Sequence, residues 1–141
     1  MTQPFAIGGN ILRVDLTRRA VTVEPTAPLN LRFPAGMGVN NWLLLNETPL
    51  GKAPLDPDNP LIFTAGSLVG TMAATACRMT ISCKNVLTGG LGAASAGGNF
   101  APELKYAGFD HIVVTGRAAQ PVYIDIDDGN VTICDADGLW G

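Results

Sequence analysis

The sequence predicts an α+β fold in which short, mostly antiparallel strands outnumber one or two short helices. Three observations support this class. First, 17 glycines and 10 prolines among 141 residues favour many short elements with tight connections. Second, several short segments alternate apolar and polar residues, as half-buried strands do. Third, Asp128-Gly129 stands between two alternating segments and is the strongest β-hairpin signal in the chain.

The composition indicates one globular domain, residues 1–141, with a core of its own. Apolar residues make up 47% of the chain and charged residues only 15%. A net charge of −3 without basic clusters argues against nucleic acid as a partner. No apolar run is long enough for a membrane-spanning helix, and the first residues do not resemble a signal peptide. We therefore expect a cytoplasmic protein with reduced cysteines that neither pair nor bind metal, namely Cys77, Cys83 and Cys134.

The first elements are a hairpin and a helix. Alternation in residues 11–16 and 20–24 predicts two strands of a β-hairpin. Residues 25–34 contain three prolines and are interpreted as a connector. Residues 39–46 form the predicted first helix. Its core-facing side chains are expected to be Trp42, Leu43 and Leu45.

The middle of the chain combines two strands with a glycine-rich segment. Residues 61–65 are apolar and predict a short strand, and residues 77–84 alternate as a half-buried strand does. The polar face of the second strand is expected to carry Arg78, Thr80, Ser82 and Lys84. Five glycines follow between Gly89 and Gly98, in a stretch without charge. We interpret this stretch as a loop that begins where the strand ends.

This arrangement has two interpretations. A glycine-rich loop costs backbone entropy to order, and it is useful where another body must approach the main chain closely. Phosphate-binding loops use this property, because bare N–H groups point at the anion. The functional interpretation is thus an anionic, phosphate-bearing ligand held by Arg78, with Lys84 as a weaker candidate. The other interpretation is a solvated strand face followed by a surface loop.

The last part of the chain predicts a short helix and three strands. Pro102 suits the first position of the helix, and Gly108 ends it. The strands are expected at residues 111–116, 122–127 and 131–135. His111 has no apparent partner group, so we expect it at a sheet end and not as a ligand or base. Residues 14–23 align without gaps to residues 124–133, which indicates either two related β-units or a chance likeness of two hairpins.

Several motifs together resemble the N-terminal domain of the tungsten-containing aldehyde:ferredoxin oxidoreductases, over essentially the whole chain. They are Gly8–Thr17, Leu61–Thr71, Leu87–Gly92, Gly97–Asp110 and Leu139–Gly141. The resemblance implies a duplicated, mostly antiparallel α+β domain that forms the floor beneath a tungsten bis-pyranopterin. It also implies a magnesium ion that bridges the pterin phosphates, and a [4Fe–4S] cluster whose ligands belong to later domains.

The resemblance also implies the site residues. Arg78 and the end of the glycine-rich stretch would contact the pterin and its phosphates, through Ser95, Ala96, Gly97 and Gly98. A main-chain carbonyl at Ser95 would help to hold the magnesium. Ser95 stands where the family has asparagine, and a main-chain contact survives that difference. No catalytic residue is expected in this chain, which we interpret as a truncated part of a longer enzyme.

The resemblance implies that the whole enzyme oxidises aldehydes to carboxylic acids and passes the electrons to ferredoxin. This fragment alone is expected to be inactive. Expected partners are the remaining domains, ferredoxin or a small iron–sulfur subunit, the aldehyde, and a second copy in a homo-oligomer. Two alternatives stay open: a binding or scaffold module that kept the fold without metal, and a relative that acts on another carbonyl-level substrate such as an aromatic thioester. Tungsten and molybdenum are not distinguished.

Overall fold

The computed structural model describes residues 8–30, 32–33, 36–49 and 51–141. In these ranges the chain forms eight strands and three helices. They are β1 (Asn10–Asp15), β2 (Ala20–Pro25), α1 (Ala27–Asn30), α2 (Met37–Glu47), β3 (Leu61–Ala65), β4 (Met79–Lys84), β5 (Leu91–Ala96), α3 (Phe100–Tyr106), β6 (Phe109–Thr115), β7 (Val122–Asp127) and β8 (Asn130–Asp135). None of the described helices is long and apolar enough to cross a membrane.

Six strands form one sheet in the order β2-β1-β6-β3-β4-β5, and β7 and β8 form a separate pair. Strands β1 and β6 run parallel, and the other described pairs are antiparallel. The predicted α+β class with mostly antiparallel strands is therefore confirmed. The hairpins β1–β2 and β7–β8, and strands β3, β4 and β6, also overlap the segments that the sequence predicted as strands.

Helix α2 covers one face of the sheet. Its buried side chains Val39, Leu43 and Leu44 pack against Ile11, Ile62 and Val113 of three different strands, and Trp42 packs partly buried at the margin of this cluster. The prediction for Leu45 was wrong, because 84% of its surface is exposed. The spacing from Val39 to Leu43 and Leu44 follows the helical period, which turns Leu45 away from the sheet.

The opposite face is covered by α3 and the β7–β8 hairpin. Leu104 of α3 packs with Leu12, Val14 and Ile112 of the sheet. The hairpin adds one side of its alternating residues, Ile124, Ile126, Val131 and Ile133. The six-stranded sheet is therefore covered on both faces, and its two edges, β2 and β5, are the remaining open borders of the sheet in the described part of the chain.

Two helical assignments differ from the sequence prediction. The proline-containing connector includes one helical turn, α1, because Leu29 and Asn30 donate to the Thr26 carbonyl at 3.0 and 3.1 Å. Helix α3 begins at Phe100, so Pro102 is its third residue and not its first. Proline still fits there, because the first turn of a helix leaves N–H groups without intrahelical partners.

The two similar segments are both hairpins, but their turns differ. Asp15 pairs with Ala20, so residues 16–19 connect β1 to β2. Asp127 pairs with Asn130, so Asp128 and Gly129 alone connect β7 to β8. These two residues have φ angles of 42° and 87°, as a tight hairpin turn requires.

Candidate functional site

The glycine-rich stretch is mostly a β-strand, so its prediction as a loop was wrong for residues 91–96. Strand β5 pairs with β4 along its whole length, from Lys84–Leu91 to Met79–Ala96. A small residue is needed here because a Cβ atom at Gly92 would lie 3.3 Å from the Cβ of Asn85 and from the Cys83 carbonyl oxygen. Close packing against β4 therefore explains this glycine.

The glycines at the start of the stretch form a closed turn. The Asn85 side-chain oxygen accepts from the N–H groups of Leu87 and Thr88 at 2.8 and 3.0 Å. The Gly89 N–H donates to the Asn85 carbonyl at 2.9 Å, and the Gly90 N–H donates to the Thr88 hydroxyl at 3.3 Å. Because these amides already have acceptors, this turn is not an open anion cradle.

The other end of the hairpin brings Arg78 beside Gly97. Met79 and Ala96 are the last paired residues, and Arg78 and Gly97 are the next residue on each strand. The two chains remain close beyond that pair, since a Cβ atom at Gly97 would lie 4.0 Å from the Cys77 sulfur. The structure thus places Arg78 next to the Ser95–Gly98 segment, the residues that the family resemblance had assigned to one site.

The main chain of Ser95 points away from β4. The Asn85 N–H donates to the Gly90 carbonyl, which makes this a hydrogen-bonded pair, and such pairs recur at every second residue of an antiparallel ladder. Ser95 pairs with Thr80 in the other set, where the two hydroxyl oxygens lie 3.4 Å apart. The Ser95 N–H and carbonyl therefore lie on the outer edge of the sheet, free to meet a ligand or ion.

The N-terminus of α2 lies at this same end of the sheet. Its N-cap residue Gly36 has a φ of 81°, and no side chain caps it. A Cβ atom at Gly36 would lie 3.6 Å from the Cα of Gly66, the residue that follows β3. Because Ala65 pairs with Met79, the register sets Gly66 on one side of Arg78 and Gly97 on the other. The residues opposite Arg78 on both neighbouring segments are therefore glycines, which carry no side chain.

Arg78 is exposed, and no carboxylate of the described residues pairs with it. Lys84 lies at the opposite end of β4, about 20 Å away at the usual rise per residue of a strand. Its Nζ donates to the Lys52 carbonyl at 2.6 Å. Lys84 is therefore too far from Arg78 to bind the same ligand, and Arg78 is the one candidate cation that remains from the predicted pair.

His111 lies inside the sheet, so its expected place at a sheet end was wrong. It is completely buried on β6, with its Nδ1 3.2 Å from Oδ1 of Asn40 in α2. Asn40 in turn donates to Ser82 Oγ at 3.1 Å, which buries a residue that the alternation had assigned to a polar face. Burial lowers the pKa of His111 to about 4. The imidazole is neutral and holds α2 to the sheet.

The donor set at the Arg78 end fits an anionic group together with a hard cation. A free guanidinium binds phosphate oxygens through two parallel bonds, and main-chain carbonyls suit magnesium. Within the described ranges, no group of three or more His, Cys, Asp or Glu side chains could hold a metal ion. Cys77, Cys83 and Cys134 are free thiols. The Arg78 end thus offers a ligand one guanidinium and main-chain groups.

Comparison with known proteins agrees with the family resemblance seen in the sequence. A family model described as "Aldehyde ferredoxin oxidoreductase, N-terminal domain" matches residues 11–141. Tungsten-containing aldehyde ferredoxin oxidoreductases from Pyrococcus furiosus and Thermococcus kodakarensis are 42% and 43% identical over 134 residues. Each match covers 94% of this chain and 22% of the relative, so the chain spans about a fifth of the length of these relatives.

Two further relatives differ in their described activity. An aliphatic sulfonate oxidoreductase, WOR-like subunit, from Pyrococcus furiosus is 33% identical over 143 residues, which covers 97% of this chain and 22% of that protein. A solved structure of the active-site complex BamBC of benzoyl-coenzyme A reductase with 1,5-dienoyl-CoA is 36% identical. It superposes with a TM-score of 0.94 over 99% of this chain and 21% of that chain.

Proposed function

Because the chain belongs to the aldehyde ferredoxin oxidoreductase family, whose N-terminal domain it matches, we propose that it forms the cofactor-binding floor of a tungsten or molybdenum bis-pyranopterin, iron–sulfur oxidoreductase. In this proposal the whole enzyme oxidises aldehydes to carboxylic acids and passes the electrons to ferredoxin. The observation that carries the assignment is the exposed guanidinium of Arg78 beside the glycine-flanked end of β5.

The residues of this chain bind and orient, and they carry no redox chemistry. Arg78 gives two parallel hydrogen bonds to a phosphate or to the edge of the pterin, a geometry that lysine does not offer. Gly97 and Gly98 leave the main chain bare, and Gly98 has a φ of 127°, which L side chains rarely adopt. The outward carbonyl of Ser95 is the proposed magnesium ligand, and Ala96 ends the strand that holds it.

The bound metal–pterin supplies the two-electron chemistry at the carbonyl carbon, and the protein supplies position and electrostatics. In our proposal the [4Fe–4S] cluster and its ligands lie in other domains of the same polypeptide. Those domains, ferredoxin or a small iron–sulfur subunit, and the aldehyde are the proposed partners, with a second copy in a homo-oligomer. The three free thiols support a reducing cytoplasmic location.

A second candidate substrate is an aromatic thioester. Its support is the likeness to the benzoyl-coenzyme A reductase structure, which is 36% identical with a TM-score of 0.94. In this proposal the Arg78 site faces the cofactor and not the substrate, so it is compatible with both. Purified full-length enzyme assayed with a panel of aldehydes and with benzoyl-coenzyme A separates these candidates directly.

The cofactor assignment is tested in the full-length protein with Arg78→Ala. We expect the affinity for the metal–pterin to fall at least about tenfold, the factor that a charged hydrogen bond of ~1.4 kcal/mol supports, and tungsten and pterin per polypeptide to fall with it. Arg18→Ala is the matched control, because its side chain is 82% exposed and lies at the β1–β2 turn. Metal analysis and pterin fluorescence measure the result. Full loading of the Arg78→Ala protein would refute the proposed site.

A further inference from the structure

Strand β5 presents an open edge that differs from the other edge of the same sheet. The peptide groups of Leu91, Ala93 and Ser95 point outward, by the alternation that starts from the Asn85–Gly90 bond. No described residue pairs with them. Exposed strand edges pair readily with other chains, so proteins usually protect them with charge, proline or bulges. Strand β5 contains none of these protections.

The opposite edge, β2, is protected. It carries Glu24 and ends at Pro25, which has no N–H to donate. Glu24 is also held by Arg13, with the Arg13 Nε donating at 2.9 Å. Since Thr26 donates to the Gly9 carbonyl, the outward residues of β2 are Val21, Val23 and Pro25. The two edges therefore provide an internal comparison within one sheet.

An apolar cleft lies beside the exposed edge. It has a volume of about 420 Å³ and lies between the last turns of α2 and the β4–β5 hairpin. Its apolar lining includes Leu44, Leu45, Pro49 and Leu91. Leu45 and Leu91 are 84% and 53% exposed, so the apolar surface continues from the cleft to its rim, and contiguous exposed apolar surface marks interaction sites. Leu91 and Lys84 are paired and both line the cleft, so it opens on the α2 side of the sheet.

We propose that the outer edge of β5 receives an additional strand from the part of the same polypeptide that its relatives have beyond this domain. The relatives supply such a part, because this chain accounts for only 22% of their length. Main-chain bonds to Leu91 and Ala93 hold the incoming strand, and its apolar side chains on the α2 side enter the cleft. This is strand addition, in which the edge gives affinity and the pocket gives selectivity.

The proposal rests on the family assignment of the chain but not on the cofactor site. Ser95 lies at the Arg78 end of β5, whereas Leu91 lies at the cleft end. Hydrogen exchange of the β5 amides is therefore measured in full-length protein prepared without tungsten. Loss of metal binding in Arg78→Ala and loss of edge pairing are separate results, and either can fail while the other holds.

Hydrogen exchange in the full-length protein tests the proposal. We expect the Leu91 and Ala93 amides to exchange at least roughly tenfold more slowly than the Val21 and Val23 amides, the factor that one net hydrogen bond supports. Equal exchange at the two edges would overturn the proposal. Protection that disappears on dilution would also overturn it, because that result identifies a second copy of the chain as the partner.

Two matched pairs of variants complete the test. Ala93→Pro removes an outward N–H of β5, and Val23→Pro removes an outward N–H of β2. We expect only Ala93→Pro to accelerate exchange of the Leu91 amide to the rate of an unpaired amide. If Ala93→Pro prevents folding, Leu91→Asp places a charge in the cleft, and Leu87→Asp is its control because Leu87 is 91% exposed outside the cleft. If Leu91→Asp leaves the exchange protection of the Ala93 amide as high as it is in the Leu87→Asp control, the proposal is overturned.

Discussion

An arginine lies near each end of helix α2, and the two arginines differ in whether a carboxylate pairs with them. At the C-terminal end, Arg13 of β1 donates to both carboxylate oxygens of Glu47 at 2.7 and 2.8 Å and to Glu24 at 2.9 Å. The Glu47 bonds are the main reason why the pKa of Arg13 is raised. At the N-terminal end, Gly36 is uncapped and Arg78 has no carboxylate partner in the described part of the chain.

This difference indicates that Arg13 serves stability, whereas Arg78 is available to bind a ligand. Arg13 is only 30% exposed, so its guanidinium is partly removed from water and requires the carboxylates. Arg78 remains solvated and needs no partner for stability. A ligand that carries phosphate can then replace water at Arg78 without first breaking an ion pair. We call the C-terminal end of α2, where Arg13 is paired, the closed end, and the N-terminal end, beside Arg78, the open end. We expect changes at the closed end to alter stability and changes at the open end to alter cofactor binding.

The largest expected effect on stability lies between the two ends, at His111. Burial lowers its pKa to about 4, whereas an unfolded histidine titrates near 6.5. Between these values the unfolded chain binds the proton more readily. Stability is therefore fully present above about pH 6.5 and falls by about 3 kcal/mol as the pH drops to about 4. Urea unfolding of this chain across that range measures the loss.

His111→Gln is the control for the acid effect, because it removes the titrating group. We expect it to abolish the pH slope in this window. The loss below about pH 4 should remain. That loss comes from protonation of Asp110. Burial raises the pKa of this carboxyl, but the hydrogen bonds from Lys105, Gly9 and Gly8 outweigh burial and lower it overall. A slope that persists in His111→Gln between these limits would show that another group controls it.

The next effect tests the closed end through Glu47→Ala. This change leaves Arg13 partly buried with only Glu24, which is 42% exposed. We expect the free energy of unfolding to fall by about 2 kcal/mol, less than for a fully buried pair because water reaches both groups. Urea unfolding gives the value. Arg78→Ala serves as the comparison at the open end and should change stability by no more than about 0.5 kcal/mol.

A smaller effect is expected for Glu24→Ala. Its carboxylate accepts from the Arg13 Nε, but its greater exposure allows water and salt to screen the pair. We expect a loss of about 0.5 kcal/mol that shrinks as the salt concentration rises. Unfolding curves at low and high salt measure both quantities. A loss equal to that of Glu47→Ala would contradict the ranking of the two carboxylates.

The smallest stability effect is expected at the open end for Gly97→Ala. A Cβ atom there meets only the Cys77 sulfur at 4.0 Å, and the φ of this residue lies outside the left-handed range. Stability should therefore stay within about 0.5 kcal/mol of the parent. If the cofactor approaches this main chain closely, tungsten per polypeptide falls in the full-length variant. Normal loading would show that the approach is made elsewhere.

Local patterns predicted the elements whose structure depends on neighbouring residues. The Asp128-Gly129 turn and the alternation beside it predicted the β7–β8 hairpin, and the observed pairing has these two residues in the turn. Strand β5 was missed because glycine and alanine have little intrinsic preference for strands. Its conformation depends on β4, which provides the partner for each residue. The partner of His111 was also missed, because Asn40 is 71 positions away in the sequence.

The sequence by itself determined the α+β class, the hairpins and the family, since these follow from periodicity, turn residues and motifs in register. Only the tertiary structure decided which cation is free. Arg13 and Arg78 are the same residue type in similar alternating segments, and their sequence contexts do not separate them. The packing of α2 brings Glu47 onto Arg13 and leaves Arg78 at the open end. Charge pairing depends on distances in space, which are set only when distant segments pack.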